Sequence, residues 1–138
     1  MNSQPQVALT NLLGEYQSAL EVGIGRRPSV ARNLSFRDVS VHAIDIVQRS
    51  VPAHVRFHVD DIVAASRQSS FPHWYHVEVI YALNLPAELQ RPVCEVAQKV
   101  GADVRFTTLG FESPAIATRP KSLDSGETVY IPIANEQY

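Results

Sequence analysis

The segment from Val77 to Leu85 restricts the fold more than any other part of the chain. Apolar residues occupy every second position, Val77, Val79, Tyr81, Leu83 and Leu85, which is the period of a strand with one apolar face. The opposite face carries His76, Glu78, Ile80, Ala82 and Asn84 and is half polar. Pro86 ends the strand. A helical pattern follows at once: Leu89, Val93, Val96, Ala97 and Val100 form a stripe, with Lys99 in the last turn and Gly101 as the stop. Pro92 cannot sit unperturbed inside one straight helix, so the helix either begins there or kinks there. The strand is expected in the middle of a sheet on which the helices pack.

Upstream, Leu9, Leu12, Leu13, Tyr16, Ala19 and Leu20 recur at helical spacing. They predict an amphipathic helix over about residues 4–22, with Ser3 and Gln6 spaced as a capping box and Gly23 and Gly25 ending it. Residues 23–35 read as a loop that opens an arginine-rich arm, since Arg26, Arg27, Arg32 and Arg37 fall close together. The glycines there match neither a phosphate loop nor a dinucleotide fingerprint. Strands are expected over Phe36–Val47, with a phase change near Ala43 that suggests a bulge, and over Ala53–Val59 after Pro52. Residues 61–71 form a polar connection or a short helical turn. A strand follows from Asp103, residues 112–127 read as a long loop, Thr128 to Ile133 is the last strand, and residues 134–138 are a tail. Strands outnumber helices and the connections look hairpin-sized. The expected class is α+β, one domain over residues 1–138, with a mainly antiparallel sheet, an N-terminal amphipathic helix and a second helix near residues 87–100 on one face.

Composition narrows the function classes. A chain of 138 residues can bury a core without staples. A net charge of −2 argues against a generally basic nucleic-acid binder, and no specific nucleic-acid binding is expected. Basic residues are almost all arginine, with Lys99 and Lys121 the two lysines; arginine suits fixed contacts between subunits. Cys94 is the single cysteine and lies in the apolar helical pattern, so it reads as a small core residue. No signal peptide and no apolar run of membrane-spanning length are visible, which predicts a protein of the cytoplasm.

Chemistry-bearing residues are few. Asp45, flanked by apolar neighbours, is either a functional carboxylate or an edge residue reaching solvent. His58 and Asp60 are two apart on one strand face and can approach one metal ion. His54 and His58, four apart, are about 13 Å distant along the strand, too far for that. His73 and His76 straddle the start of the central strand and join such a site only through tertiary proximity. Trp74 and Tyr75 either stack on a ligand or seal the end of the core. No nucleophile motif, paired carboxylate, phosphate loop or cysteine cluster stands out. No cofactor or metal is therefore expected.

Several features taken together resemble a known family. They are the helix over Gln6–Val22, the strand Pro52-Ala53-His54-Val55-Arg56-Phe57-His58-Val59 and the polar loop Ser66–Ser70. Next comes the strand His76–Leu85, running straight into the helix that ends at Val100, and last the closing segment Val129-Tyr130-Ile131-Pro132-Ile133. In order and pattern the chain resembles the tail-terminator (tail-completion) proteins of long-tailed bacteriophages. The resemblance implies a non-enzymatic virion subunit that forms a ring, commonly a hexamer, and joins tail tube to neck after assembly in the host cytoplasm. Arg26, Arg27, Arg32 and Arg37 are then expected at interfaces with other subunits or neighbouring tail and neck proteins. Two alternatives stand beside it. One is a small ligand-binding domain or enzyme whose pocket lies between the first helix and the sheet and uses Asp45, His58 and His76. The other is an inhibitor or adaptor that binds a host protein.

Overall fold

Val79, Ile80, Tyr81 and Ala82 are each at most 1% exposed: the strand they form is buried on both faces, not on one. The computed structural model describes residues 4–133. In chain order the elements are α1 (Gln4–Leu13), β1 (Ser18–Val22), α2 (Ser29–Ser35), β2 (Ser40–Asp45), β3 (Val55–Val59), α3 (Ile62–Ser66), a 3-10 turn (His73–Tyr75), β4 (Val79–Ala82), α4 (Ala87–Val100), β5 (Asp103–Phe106), β6 (Thr118–Ser122) and β7 (Thr128–Pro132). The strands form one seven-stranded sheet in the order β3-β2-β1-β4-β5-β7-β6, with β4 in the middle.

The expectation of a mainly antiparallel sheet is wrong. β3, β2, β1, β4 and β5 pair with one another in parallel. Only β7, against β5, and β6, against β7, run antiparallel. A parallel pair needs a crossover, normally helical, and the crossover helices were the elements hidden in the sequence. α2 lies inside the supposed arginine arm, where Val30, Ala31 and Leu34 are buried. α3 lies in the supposed polar connection, with Asp61 as its N-cap accepting a hydrogen bond from the Val63 N–H at 2.9 Å. With both missing, helical crossovers look like short links.

The predicted first helix splits in two. α1 stops at Leu13, the Gly14 N–H donates to the Thr10 carbonyl and the Tyr16 N–H to the Leu13 carbonyl. A side chain at position 14 would meet the Thr10 carbonyl oxygen at 2.9 Å. The chain then enters β1. Ala19, Leu20, Glu21 and Val22 are all buried, so β1 shows no alternation, the pattern of a parallel strand covered on both faces. Pro92, in contrast, neither starts nor ends a helix: α4 runs through it. The bond Pro92 cannot donate would have gone to the carbonyl of Glu88, an exposed residue. The Gly101 turn, at φ +77°, closes α4 as read from sequence.

The sheet separates two apolar layers. On one side α3 and α4 cover Leu20, Val22, Ile44, Ile80, Ala82, Val104 and Phe106. On the other, Leu9 and Leu13 of α1 and Val30 and Leu34 of α2 cover Ala19, Val41, Ala43, Val79 and Tyr81. The supposed Ser3 cap and the 134–138 tail lie outside the described residues. Ile80 sits at the centre of the first layer with no exposed surface. Ile80→Ala should cost about 2–5 kcal/mol, read as a lower urea midpoint at unchanged slope; a loss under about 1 kcal/mol would mean that this layer is loosely packed.

Candidate ligand-binding site

The strand order reverses direction between β1 and β4: from β1 the chain moves outward to β2 and β3, then returns past β1 to β4 and β5. In an open parallel sheet this is where the two sets of loops diverge and leave a crevice at the carboxyl ends of the strands. The amino edge of the same strands is closed. Tyr16 donates to Asp103, the Gln17 N–H donates to a Glu78 carboxylate oxygen, and the Ser18 hydroxyl accepts from the Glu78 N–H. The carboxyl edge opens into a cavity of about 410 Å³. It is lined by Glu21, Gly23, Gly25, Arg26 and Arg27 after and at the end of β1, by Leu83 and Asn84 after β4, by Thr107 after β5, by Gln6 and Leu9 of α1, and by Glu127 before β7.

The loop after β1 is held from below. The Gly23 N–H donates to the Ile44 carbonyl at 2.9 Å, and the Gly25 N–H donates to Oδ2 of Asp45 at 2.9 Å. Asp45 also accepts from its neighbour Ile46 N–H through Oδ1 and from Nε of Arg49 through Oδ2. Asp45 is therefore neither an idle edge residue nor, as the structure stands, a free carboxylate: it clamps the glycine turn to the tip of β2. Gly23 and Gly25 take φ of +72° and +57°, and no atom lies close enough to a built Cβ at Gly23 to fill the space above it. A ligand can approach the bare backbone there. Across the cleft, Asn84 also has a positive φ, +56°. Its N–H donates to Oγ1 of Thr107 at 2.8 Å, and the Leu85 N–H donates to the Thr107 carbonyl at 2.8 Å. These bonds lock the ends of β4 and β5 together.

Glu21 is the unusual group. It is 2% exposed and shares a sheet face with Tyr81, whose hydroxyl donates to Oε1 at 2.8 Å. Burial pushes the Glu21 carboxyl up to about 8; the Tyr81 hydrogen bond opposes this and the nearby Asp45 charge adds to it. Near neutrality Glu21 therefore holds its proton while the cleft contains no cation. In the sequence Glu21 is hidden inside the apparent helix over residues 4–22. A carboxylate two residues before a Gly-X-Gly turn was the available signal, and it is legible only once residues 18–22 are recognised as a strand.

The histidines are placed elsewhere. His58 lies on the α3/α4 side of the sheet, stacked on Trp74 at 3.9 Å and 7°, with its Nε2 at 3.1 Å from Nδ1 of His42. His73 meets the His42 ring edge-on at 5.9 Å. Burial first, then the facing His58, lowers His42 to about 4, so this pair shares a hydrogen bond between neutral rings. Asp60 is not beside His58 as a ligand, because its Oδ2 accepts from the Tyr75 hydroxyl at 2.8 Å. His54 and His76 are exposed outside the stack. No group of three or more metal-ligating side chains occurs among the described residues. The supposed pocket between the first helix and the sheet exists, but Asp45 serves it from beneath the loop and His58 faces the other way. Of the arginines, Arg26 and Arg27 line the cleft, Arg32 lies in the last turn of α2, and Arg37 donates to Oδ1 of Asn11 at 2.7 Å, tying that segment to α1.

The raised Glu21 pKa sets a pH dependence of stability. The folded chain keeps a proton that the unfolded chain releases, so stability falls as pH rises from about the ordinary 4.5 towards about 8. Glu21→Gln keeps the Tyr81 hydrogen bond and removes the titration. Urea unfolding between pH 5 and 8 should show a declining stability in the parent chain and a flatter profile in the variant; parallel profiles would mean that Glu21 is ionised in the fold.

Comparisons with known proteins place this geometry. A UPF0146 protein of Halobacterium salinarum is 42% identical over 112 residues, 81% of this chain and 82% of that protein. One of Archaeoglobus fulgidus is 40% identical over 84 residues, 61% of this chain and 62% of that protein. Among solved structures, the N-methyltransferase NodS of Bradyrhizobium japonicum superposes with a TM-score of 0.59 at 13% identity, covering 94% of this chain and 96% of that one. An O-methyltransferase family protein of Burkholderia thailandensis gives 0.55 at 10% identity, covering 96% and 57%. A Rhodobacter sphaeroides chain described as a Zn-dependent alcohol dehydrogenase gives 0.53 at 20% identity; this chain covers about half of it, 49%, with 81% of its own length. These likenesses concern the fold. They overturn the likeness to tail-terminator proteins, which rested on a helix and strand order that the structure does not have. With it go the virion location, the tail and neck role and the non-enzymatic reading that the likeness implied. No helix among the described residues is long and apolar enough to cross a membrane. The profile of the uncharacterised protein family UPF0146 matches residues 4–134, and the chain belongs to that family.

Proposed function

We propose that the cleft binds S-adenosylmethionine and that the chain works as a methyltransferase on a small acceptor. The observation that carries this reading is the Glu21-to-Gly25 turn: a buried carboxyl, two glycines with open backbone and a clamping Asp45, set at the point where strand order reverses. The volume, about 410 Å³, falls in the range of pockets for such ligands, roughly 300–1,000 Å³. Open space over Gly23 admits a ligand against the backbone. Arg26 and Arg27 offer donors to a carboxylate. Glu21 offers an acceptor to a cationic group, whose arrival draws it into its charged form. Asp45 lies 20 residues beyond Gly25, the separation at which an acidic residue on the second strand reaches ribose hydroxyls in related folds, and a carboxylate retains acceptor capacity beyond the bonds it already makes.

The bound donor would supply an activated methyl group. The chain itself would orient it, neutralise its charges and keep water from it under α1. A dinucleotide is the second reading, since the dehydrogenase shares the fold, but Pro28 stands where a G-x-G-x-x-G turn that begins at Gly23 needs its third glycine.

Isothermal titration calorimetry decides between them. S-adenosylmethionine should bind at one site and NAD should not. Affinity should rise with pH up to about 8, because the cation expels the Glu21 proton. Glu21→Gln should weaken binding by at least about tenfold, or about 1.4 kcal/mol, and abolish that pH dependence. Saturable NAD binding, or none of either ligand, would contradict the reading.

A further inference from the structure

The cleft has a second carboxyl that the donor reading does not use. Glu127 enters from the β6–β7 hairpin, three strand positions from the β1 that carries Glu21. Its backbone is fixed twice: its N–H donates to Oγ of Ser125 and its carbonyl accepts from the Leu123 N–H at 2.8 Å. It stands just before β7, two residues from Val129, which packs in the layer under α1 as Glu21 does. It lines the same cavity. Yet its Oε2 is shut from solvent and has no hydrogen-bond partner among the described residues. Glu127 as a whole is half-buried, but an enclosed carboxyl oxygen without a partner is unfavourable, and a group that supplies an N–H or a positive charge relieves that. Among the described residues the basic side chains lining the cleft are Arg26 and Arg27, which follow β1 rather than β7, and no hydrogen bond or ion pair joins either to Glu127.

We infer that Glu127 is the acceptor-recognition residue of the cleft, and that the acceptor it recognises is an amine presented as an ammonium or N–H group. This rests on the donor reading for the reaction, not for the recognition itself. An acceptor ammonium gives one proton to Oε2 of Glu127, leaving a protonated carboxyl and a neutral amine. The amine lone pair forms the new N–C bond as the donor's S–C bond breaks with its electron pair left on sulfur. Burial raises the Glu127 carboxyl above its ordinary range, which favours taking that proton.

Two-dimensional amide NMR tests this with n-butylammonium as probe and butanol and butyrate as controls, on the chain alone and on the chain saturated with S-adenosylhomocysteine. Butylammonium alone should give saturable shifts centred on Gly126, Glu127 and Thr128. Glu127→Gln should weaken it by roughly fivefold or more while leaving S-adenosylhomocysteine affinity within about twofold; Glu127→Asp should restore part of the loss. Equal response to butanol or butyrate, or an unchanged response in Glu127→Gln, overturns the inference; if Glu127→Gln fails to fold, Glu127→Ser is read by the same criteria. If S-adenosylhomocysteine fails to bind while butylammonium still depends on Glu127, the donor reading falls and the amine site stands.

Discussion

The parallel pairing of β1 with β2 on one side and β4 on the other holds the site together. A strand with neighbours on both edges and helices on both faces cannot expose any backbone group along its length. Its first exit is the carboxyl end, and there the chain must turn sharply enough to start the crossover through α2. Gly23 and Gly25 make that turn, and Asp45, at the end of β2 in register with β1, fastens it. The same pairing forces Glu21 into the layer under α1, where Tyr81 on the neighbouring β4 is the partner within reach. One constraint thus yields a buried acid, an open turn and a crevice.

The two faces of the sheet have different tasks. Under α3 and α4 the packing is mainly apolar; His42 and His58 share a hydrogen bond and His58 stacks on Trp74, while the buried Gln90 of α4 donates to the Leu85 carbonyl and accepts from the Ala115 N–H. Under α1 and α2 two carboxyls approach the carboxyl edge, at Glu21 and Glu127. Glu21 is buried against the Tyr81 hydroxyl, Glu127 is half-buried with one carboxyl oxygen enclosed and unpartnered, and both line the cavity at the carboxyl edge.

How much of this was readable in the chain depends on exposure. The last strand and α4 were legible because one face of each meets solvent and the pattern shows it. β4 was legible through the apolar alternation from Val77 to Leu85, although that pattern implied one apolar face and the strand is buried on both. β1 was not legible: Ala19 and Leu20 continue the spacing of Leu12, Leu13 and Tyr16 by chance, and only Gly14 marks the break. α2 and α3 are too short, at seven and five residues, to show a helical period. β6 carries Pro120 and is largely exposed on the sheet edge, so no apolar signal exists. Losing β1 and the two short helices turned a parallel sheet into an apparently antiparallel one, and with it went the cleft, Glu21 and the role of Asp45. Tertiary pairing, absent from local pattern, was the missing information.

The central claim is that ligand chemistry is concentrated where β1 and β4 diverge. Mapping amide shifts while S-adenosylhomocysteine is added to the labelled chain tests it most directly. The account predicts the largest shifts at Gly23, Gly25, Asn84 and Thr107, with the His42, His58 and Trp74 signals unmoved. Shifts centred on that histidine stack, or no saturable shift at the carboxyl edge, would contradict it.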